Sequence, residues 1–228
     1  MPLHAATIQS LRAVLFDWDG TLLDSYHADA AAYLAMFRAL GVNWTSAQVD
    51  RHYSPDWYRV FRAAGIPRSR WDEADRLWRR FYRRHRPKLM PGARHVLRAL
   101  AKYFTLGIVT SGNRARVARQ LRDFRLTNLF AVRVCSEDAS RRKPHPAPLS
   151  LALARLRLAP EQCLYVGDAA EDVLMARRAG VHVIGVFGPF PTHARLRASR
   201  PDALLASIEA LPELILARKL KSDRLSPR

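Results

Sequence analysis

Cysteine is nearly absent from this chain, with only Cys135 and Cys163 in 228 residues. The two form neither a metal-ligand spacing nor a disulfide framework, which excludes thiolate-metal centres and stapled secreted scaffolds. No apolar run approaches the roughly 20 residues of a membrane span. Segment 1–9 also lacks the apolar stretch of a signal peptide, so a cytoplasmic setting without membrane contact is expected. Acidic residues are scarce, 20 against 38 lysines and arginines, giving a formal net charge of +18. The remainder is ordinary for a globular protein: 49% of residues are hydrophobic and 25% charged, enough for one large domain or a core domain with an insertion.

The positive excess admits three readings: an anionic polymer or surface as partner, solvated basic helix faces, or steering of a small anionic substrate. The basic residues are scattered among acids and aromatics, and no nucleic-acid motif accompanies them. Solvated faces combined with steering is the reading adopted, and nucleic acid is not expected as a partner. A non-catalytic or weakly catalytic basic module binding nucleic acid or an acidic partner stands as the alternative function. The basic stretch 217–228 is expected to be a disordered tail.

Short apolar, often β-branched runs at 13–16, 106–110, 132–135, 163–166 and 181–186 read as buried strands. Helical patterns fall between them, at 93–103, 115–124, 146–156, 170–179 and 203–217. This alternation predicts an α/β fold, a Rossmann-like parallel sheet with helices on both faces. Segment 25–88 breaks the pattern. It carries only helical periodicity, around Tyr33–Leu40, Trp57–Phe61 and Trp71–Tyr82, and is expected to be an inserted all-α unit whose aromatics form its own core. The domains so predicted are 1–24 with 89–216 as the core and 25–88 as the helical insertion.

In such folds ligands collect beyond the carboxyl ends of the strands. The first strand runs into Phe16-Asp17-Trp18-Asp19-Gly20-Thr21, and extended geometry would turn Asp17 and Asp19 into one space. Two crowded carboxylates repel, so a proton or a nearby cation must relieve them. Ser111, Gly112 and Asn113 follow the second strand and open a helix, which makes an anion cradle or simply a helix cap. Lys143, before Pro144, reads alone as an exposed charge. Asp168 and Asp172 follow another strand, and alone could just complement a helix N-terminus. Their joint order is what points to chemistry.

With those residues in that order the chain resembles the haloacid dehalogenase superfamily, and among its members the phosphoglycolate phosphatase-like branch. Four motifs carry the resemblance: Asp17-Trp18-Asp19-Gly20-Thr21, Ser111, Lys143-Pro144, and Gly167-Asp168 with Asp172. It covers about residues 12–214, with 25–88 resembling the family's helical cap. The resemblance implies an Mg2+-dependent phosphatase that hydrolyses a small-molecule phosphate monoester, phosphoglycolate-like or a sugar phosphate, through an aspartyl-phosphate. Asp17 would be the nucleophile, Asp19 the general acid and base, and Lys143 the catalytic cation. Ser111, Gly112, Asn113 and Lys143 would hold phosphate. The metal would take Asp17, Asp19 through its backbone carbonyl, and Asp168, with Asp172 acting through water or orienting Lys143. The partner would be a small phosphorylated metabolite, and the protein a monomer or homodimer.

Departures from the family pattern narrow the reaction. Asp29 stands where mutase-like members carry a cap histidine, Asp19 is the acid that dehalogenases lack, and segment 25–86 has no lysine of the kind phosphonate-cleaving members use. His27, Arg51, His52 and the arginines of 79–86 are secondary candidates for meeting the leaving group, and the arginine-rich insertion suggests a second anionic group on the substrate.

Overall fold

Val14 and Phe16 are fully buried, and so are Ala13 and Leu15, whose side chains point the opposite way. A strand apolar on both faces needs a layer of helices on each side, and the computed structural model, which describes residues 5–223, supplies them. The elements run α1 (Ala5–Ser10), β1 (Ala13–Phe16), β2 (Leu23–Asp24), α2 (Tyr26–Ala39), α3 (Ser46–His52), α4 (Trp57–Ala63), α5 (Trp71–Tyr82) and β3 (Lys88–Leu89). There follow α6 (Ala93–Leu100), β4 (Thr105–Val109), α7 (Arg114–Asp123), β5 (Val132–Val134), α8 (Ala147–Leu156) and β6 (Cys163–Gly167). The chain continues through α9 (Ala170–Arg178), β7 (His182–Val186), α10 (His193–Ala198), β8 (Ala203–Leu205) and α11 (Leu211–Asp223).

Six strands form one parallel sheet in the order β5-β4-β1-β6-β7-β8, with β1 between β4 and β6. On one face Val14, Phe16, Ile108 and Val166 pack with Leu97, Leu100, Leu121, Leu211 and Ile215. On the other, Leu15, Val134, Tyr165 and Val183 pack with Leu149, Val173 and Leu196. The Rossmann-like α/β architecture expected from the sequence is thus the one observed. No helix of the described residues is long and apolar enough to cross a membrane.

Two expectations are corrected. The run 203–217 is not one helix: Ala203–Leu205 adds an edge strand beside β7, Ser207 caps a 3-10 turn, and α11 starts at Leu211. Helix α11 continues to Asp223, so the tail expected from 217 begins within a helix, while residues 224–228 lie outside the described ones. Helix α3 was not anticipated, although its capping box, Thr45 with Gln48, is a start signal in the sequence.

Helices α2 to α5 lie between β2 and β3, which pair antiparallel with Leu23 opposite Leu89 and Asp24 opposite Lys88. They carry a core of their own around Met36, Phe37, Val60, Phe61 and Ala74. The expectation about their aromatics is only partly met, because Trp57 and Trp78 also face a cavity shared with the sheet. Contacts across that junction include two arginines on the sheet side. The Arg142 guanidinium sits 3.8 Å from the Trp57 ring and 4.1 Å from that of Tyr58. Arg195 donates to the Tyr53 carbonyl at 2.7 Å, and Ser54 donates to buried Glu171 at 3.2 Å.

A desolvated cation–π contact is worth about 2 kcal/mol. Arg142→Ala is therefore expected to speed amide exchange in α4 by roughly tenfold or more while exchange in β1 and β6 stays unchanged. Equal exchange in α4 of the two proteins would contradict this role for Arg142.

Candidate active site

Parallel pairing puts the carboxyl ends of β1, β4 and β6 side by side, and the polar residues that follow them meet there. Asp17 follows β1, Thr110 and Ser111 follow β4, and Asp168 follows β6. Asp17, Ser111, Gly112, Asn113 and Asp168 all line one cavity between the sheet and the inserted helices, and Asp19 joins them. Lys143 arrives from the loop after β5, its side chain almost fully buried.

Lys143 uses all three ammonium donors. Its Nζ lies 3.0 Å from Asp17 Oδ1, 2.7 Å from Asp172 Oδ1 and 2.7 Å from the Tyr165 hydroxyl, which itself donates a hydrogen bond to the Val109 carbonyl at 2.8 Å. Burial disfavours its charge, yet the carboxylates of Asp17 and Asp172 hold its pKa above the ordinary lysine value. The remaining contacts fix the acids. Asp17 Oδ1 accepts from the Trp18 amide at 2.7 Å, Asp168 Oδ1 from Thr21 at 2.9 Å, and Asp172 Oδ2 from the Ala169 amide at 3.1 Å.

Asp17, Asp168 and Asp172 each bring a carboxylate oxygen within 4.8 Å of the other two. Burial, reinforced by their mutual repulsion, raises the pKa of Asp17 and of Asp168 above the usual carboxylate range, despite the attraction of Lys143. Three buried carboxylates around one ammonium leave negative charge uncompensated. This oxygen-rich set fits a hard divalent cation. Asp172, already engaged on both oxygens, is placed to orient Lys143.

Asp19 departs from simple strand alternation. Strand β1 stops at Phe16, the Trp18 carbonyl accepts from Leu22 and Leu23, and Gly20 turns the chain at φ 80°. The Asp19 carboxylate consequently meets the Arg116 guanidinium in a two-pronged pair of 2.7 and 2.6 Å. Burial opposes its charge, but Arg116 prevails and holds Asp19 below the ordinary carboxylate range. Arg116 in turn lies over the Tyr82 ring of α5 at 5.0 Å.

The residues expected to hold phosphate are engaged in different ways. Ser111 lines the cavity. The Gly112 amide donates to Thr110 Oγ1 at 3.1 Å, and Asn113 Oδ1 caps α7 by accepting from the Arg116 amide at 2.9 Å. Of the secondary candidates, Arg79 alone lines the cavity, while His27, Arg51 and His52 are exposed. Sequence reading missed Arg116 and Tyr165, and used Asp29 only to exclude a mutase. All three contribute to the site or its support, and no sequence signal distinguished Arg116 from its many neighbours of the same type.

A family model described as haloacid dehalogenase-like hydrolase matches residues 14–186. A phosphoglycolate phosphatase from Salmonella paratyphi A is 31% identical over 249 residues, covering 95% of this chain and 99% of that protein. One from Escherichia coli is 32% identical over 235 residues, covering 90% and 93%. Among solved structures, one described as a predicted phosphoglycolate phosphatase from Haemophilus somnus superposes with a TM-score of 0.80 at 22% identity, covering 90% of this chain and 98% of that one, and so shares the fold.

A carboxyl whose pKa is raised by folding contributes stability fully below its unfolded value of about 3.9, and that contribution is lost as pH rises through the folded value. Asp168→Asn is therefore expected to raise Tm at pH 8 in a chelator. The same variant should lose any gain in Tm that a divalent cation confers, about 5–10 °C for a site filled at 100 times Kd. Calorimetry with and without MgCl2 checks both signs.

Proposed function

This chain belongs to the haloacid dehalogenase-like hydrolases, and we propose that it is a phosphatase that releases phosphate from a small-molecule monoester through an aspartyl-phosphate on Asp17. The observation that carries this reading is the buried Lys143 ammonium bridging Asp17 and Asp172 beside Asp168, with Asp17 and Asp168 lining the same cavity as Asp19 and Ser111. Phosphoglycolate, the substrate class named for the curated relatives, and sugar phosphates both fall within it. Residues 25–88 would act as the cap that closes over the substrate.

Asp17 Oδ1 is held by two donors, and no hydrogen bond to Oδ2 is formed among the described residues. Oδ2 is then the oxygen that attacks phosphorus in line, forming the P–O bond to Asp17 as the ester P–O bond breaks. The departing alkoxide takes a proton from Asp19. Water then attacks phosphorus, Asp19 receives the water proton, and Asp17 is regenerated as inorganic phosphate leaves. The Arg116 pair favours the carboxylate of Asp19, the form needed as base in the second half. Acting as acid in the first half requires Asp19 to loosen from that pair. Magnesium, held by Asp17, Asp168 and the Asp19 backbone carbonyl, would supply charge stabilisation at the phosphoryl oxygens. Ser111 and Lys143 would bind the same oxygens, Lys143 by giving up one of its present acceptors.

Purified protein with MgCl2 is expected to release phosphate from an aryl phosphate, and Asp17→Asn to abolish that release. Asp19→Asn should lower kcat by about 10²–10⁴-fold. Undiminished turnover by Asp17→Asn, or none by the native chain across a broad phosphate panel, defeats the proposal.

A further inference from the structure

Beyond the reacting phosphate, the cavity extends under the inserted helices, where Asp29, Asp75, Trp78 and Arg79 line it together with aromatic faces including Tyr33 and Tyr53. Each cation in this chamber is already committed. Arg79 pairs with Asp75 at 2.8 Å, and Arg116 pairs with Asp19. Among the described residues no basic side chain lies within salt-bridge distance of Asp29. The arginine-rich insertion therefore offers no unpaired guanidinium to a second anionic group, and a leaving group with a carboxylate would sit beside Asp29 and Asp75.

Three donors in the same chamber point the other way. Trp78 Nε1, Arg79 Nε and Arg116 Nε are buried and complete no hydrogen bond, and the first two stand with Asp29 and Asp75 on the inserted helices. An ammonium on the substrate would meet the acids and leave these donors bare, whereas a carboxylate would meet the donors and confront the acids. A hydroxyl does both, accepting from an N–H and donating to a carboxyl, and carries no charge. Burial, reinforced by the charge of Asp19, pushes the Asp29 carboxyl up to about 8, against the opposing pull of Arg116 and of the Trp78 N–H, which is turned toward it without completing a hydrogen bond. At neutral pH it mostly keeps its proton, which matches a hydroxyl better than an ammonium. The aromatic walls suit the C–H faces of a polyol chain or ring.

Resting on the phosphatase reading, we infer that the leaving group is a neutral polyhydroxy alcohol, a polyol or sugar, whose hydroxyls bridge Trp78 Nε1 and Arg79 Nε to Asp29, and that phosphoglycolate is a poor substrate. Donors that complete no hydrogen bond, lining a cavity with a carboxyl group that keeps its proton, call for a partner that both accepts and donates.

The test compares kcat/KM of the native chain with MgCl2 on 4-nitrophenyl phosphate, 2-phosphoglycolate, phosphoethanolamine, glycerol 3-phosphate and a set of pentose and hexose monophosphates. At least one polyol or sugar phosphate is expected to exceed phosphoglycolate and phosphoethanolamine by tenfold or more. Trp78→Phe, which keeps the ring and deletes the donor, and Asp29→Asn should each raise KM for that substrate by about 5–50-fold, with a smaller change in kcat. Their loss on 4-nitrophenyl phosphate should be several-fold smaller. Preference for phosphoglycolate or phosphoethanolamine overturns the inference while leaving the phosphatase reading intact, as does an equal loss on both substrates. Failure to hydrolyse even the aryl ester overturns the phosphatase reading and this inference with it.

Discussion

A single ammonium among buried acids organises the centre of this protein. Lys143 Nζ touches Asp17, Asp172 and the Tyr165 hydroxyl, and removing it would strand carboxylates with no water to solvate them. The sheet can be understood as the frame that this cluster requires. Asp17 and Asp168 follow neighbouring strands, Tyr165 rises from within β6, and Asp172 sits on the first turn of α9, where the helix dipole favours its charge. The backbone amides of Trp18 and Ala169 and the Thr21 hydroxyl take up further carboxylate oxygens. Even so, one ammonium against three carboxylates leaves an electrostatic deficit, which is the physical reason for reading the cluster as a divalent cation site.

A second cation–carboxylate pair, Arg116 with Asp19, stands at the same cavity but faces the inserted helices. The two pairs use different cations for reasons of geometry. Lysine is a compact point charge that can contact three acceptors at once. Arginine presents a planar fork that matches a carboxylate along one edge and an aromatic ring along its face. Arg116 does both, gripping Asp19 with two nitrogens while lying over Tyr82, and Gly112 leaves the room its guanidinium occupies. The residue proposed as acid and base is thus held by a group that also touches the inserted helices, whereas the proposed nucleophile is held by the core alone.

The strand-end residues were legible in the sequence because a buried parallel strand is a short apolar run, and any polar residue directly after it stands at the ligand-binding edge. Asp17, Ser111 and Asp168 were found in that way, and a parallel sheet with helices on both faces followed from the alternation of strands and helices, though not the order of its strands. Arg116 was not legible, since one arginine among 38 basic residues has no local signature and its meaning comes from a partner 97 positions away. The run 203–217 misled for another reason: a three-residue apolar edge strand has no periodicity to set it apart from a helix. Helix caps carried more information there, with Ser207 marking a break between strand and helix.

The chain's charge and the cavity's charge have opposite characters, and this separates two tasks. A net charge of +18 surrounds the molecule, yet of the arginines among the described residues only Arg79 and Arg116 line the cavity, and both are paired. Surface charge acts over about one Debye length, roughly 10 Å at 0.1 M salt, and can draw a phosphate dianion toward the molecule without discriminating what is attached to it. Discrimination needs contact, and contact in this chamber is made by a tryptophan donor, a carboxyl group and aromatic faces. Counting arginines in the insertion therefore says little about the leaving group. The identity of the leaving group is set by the few buried atoms whose hydrogen bonds the fold leaves unmade.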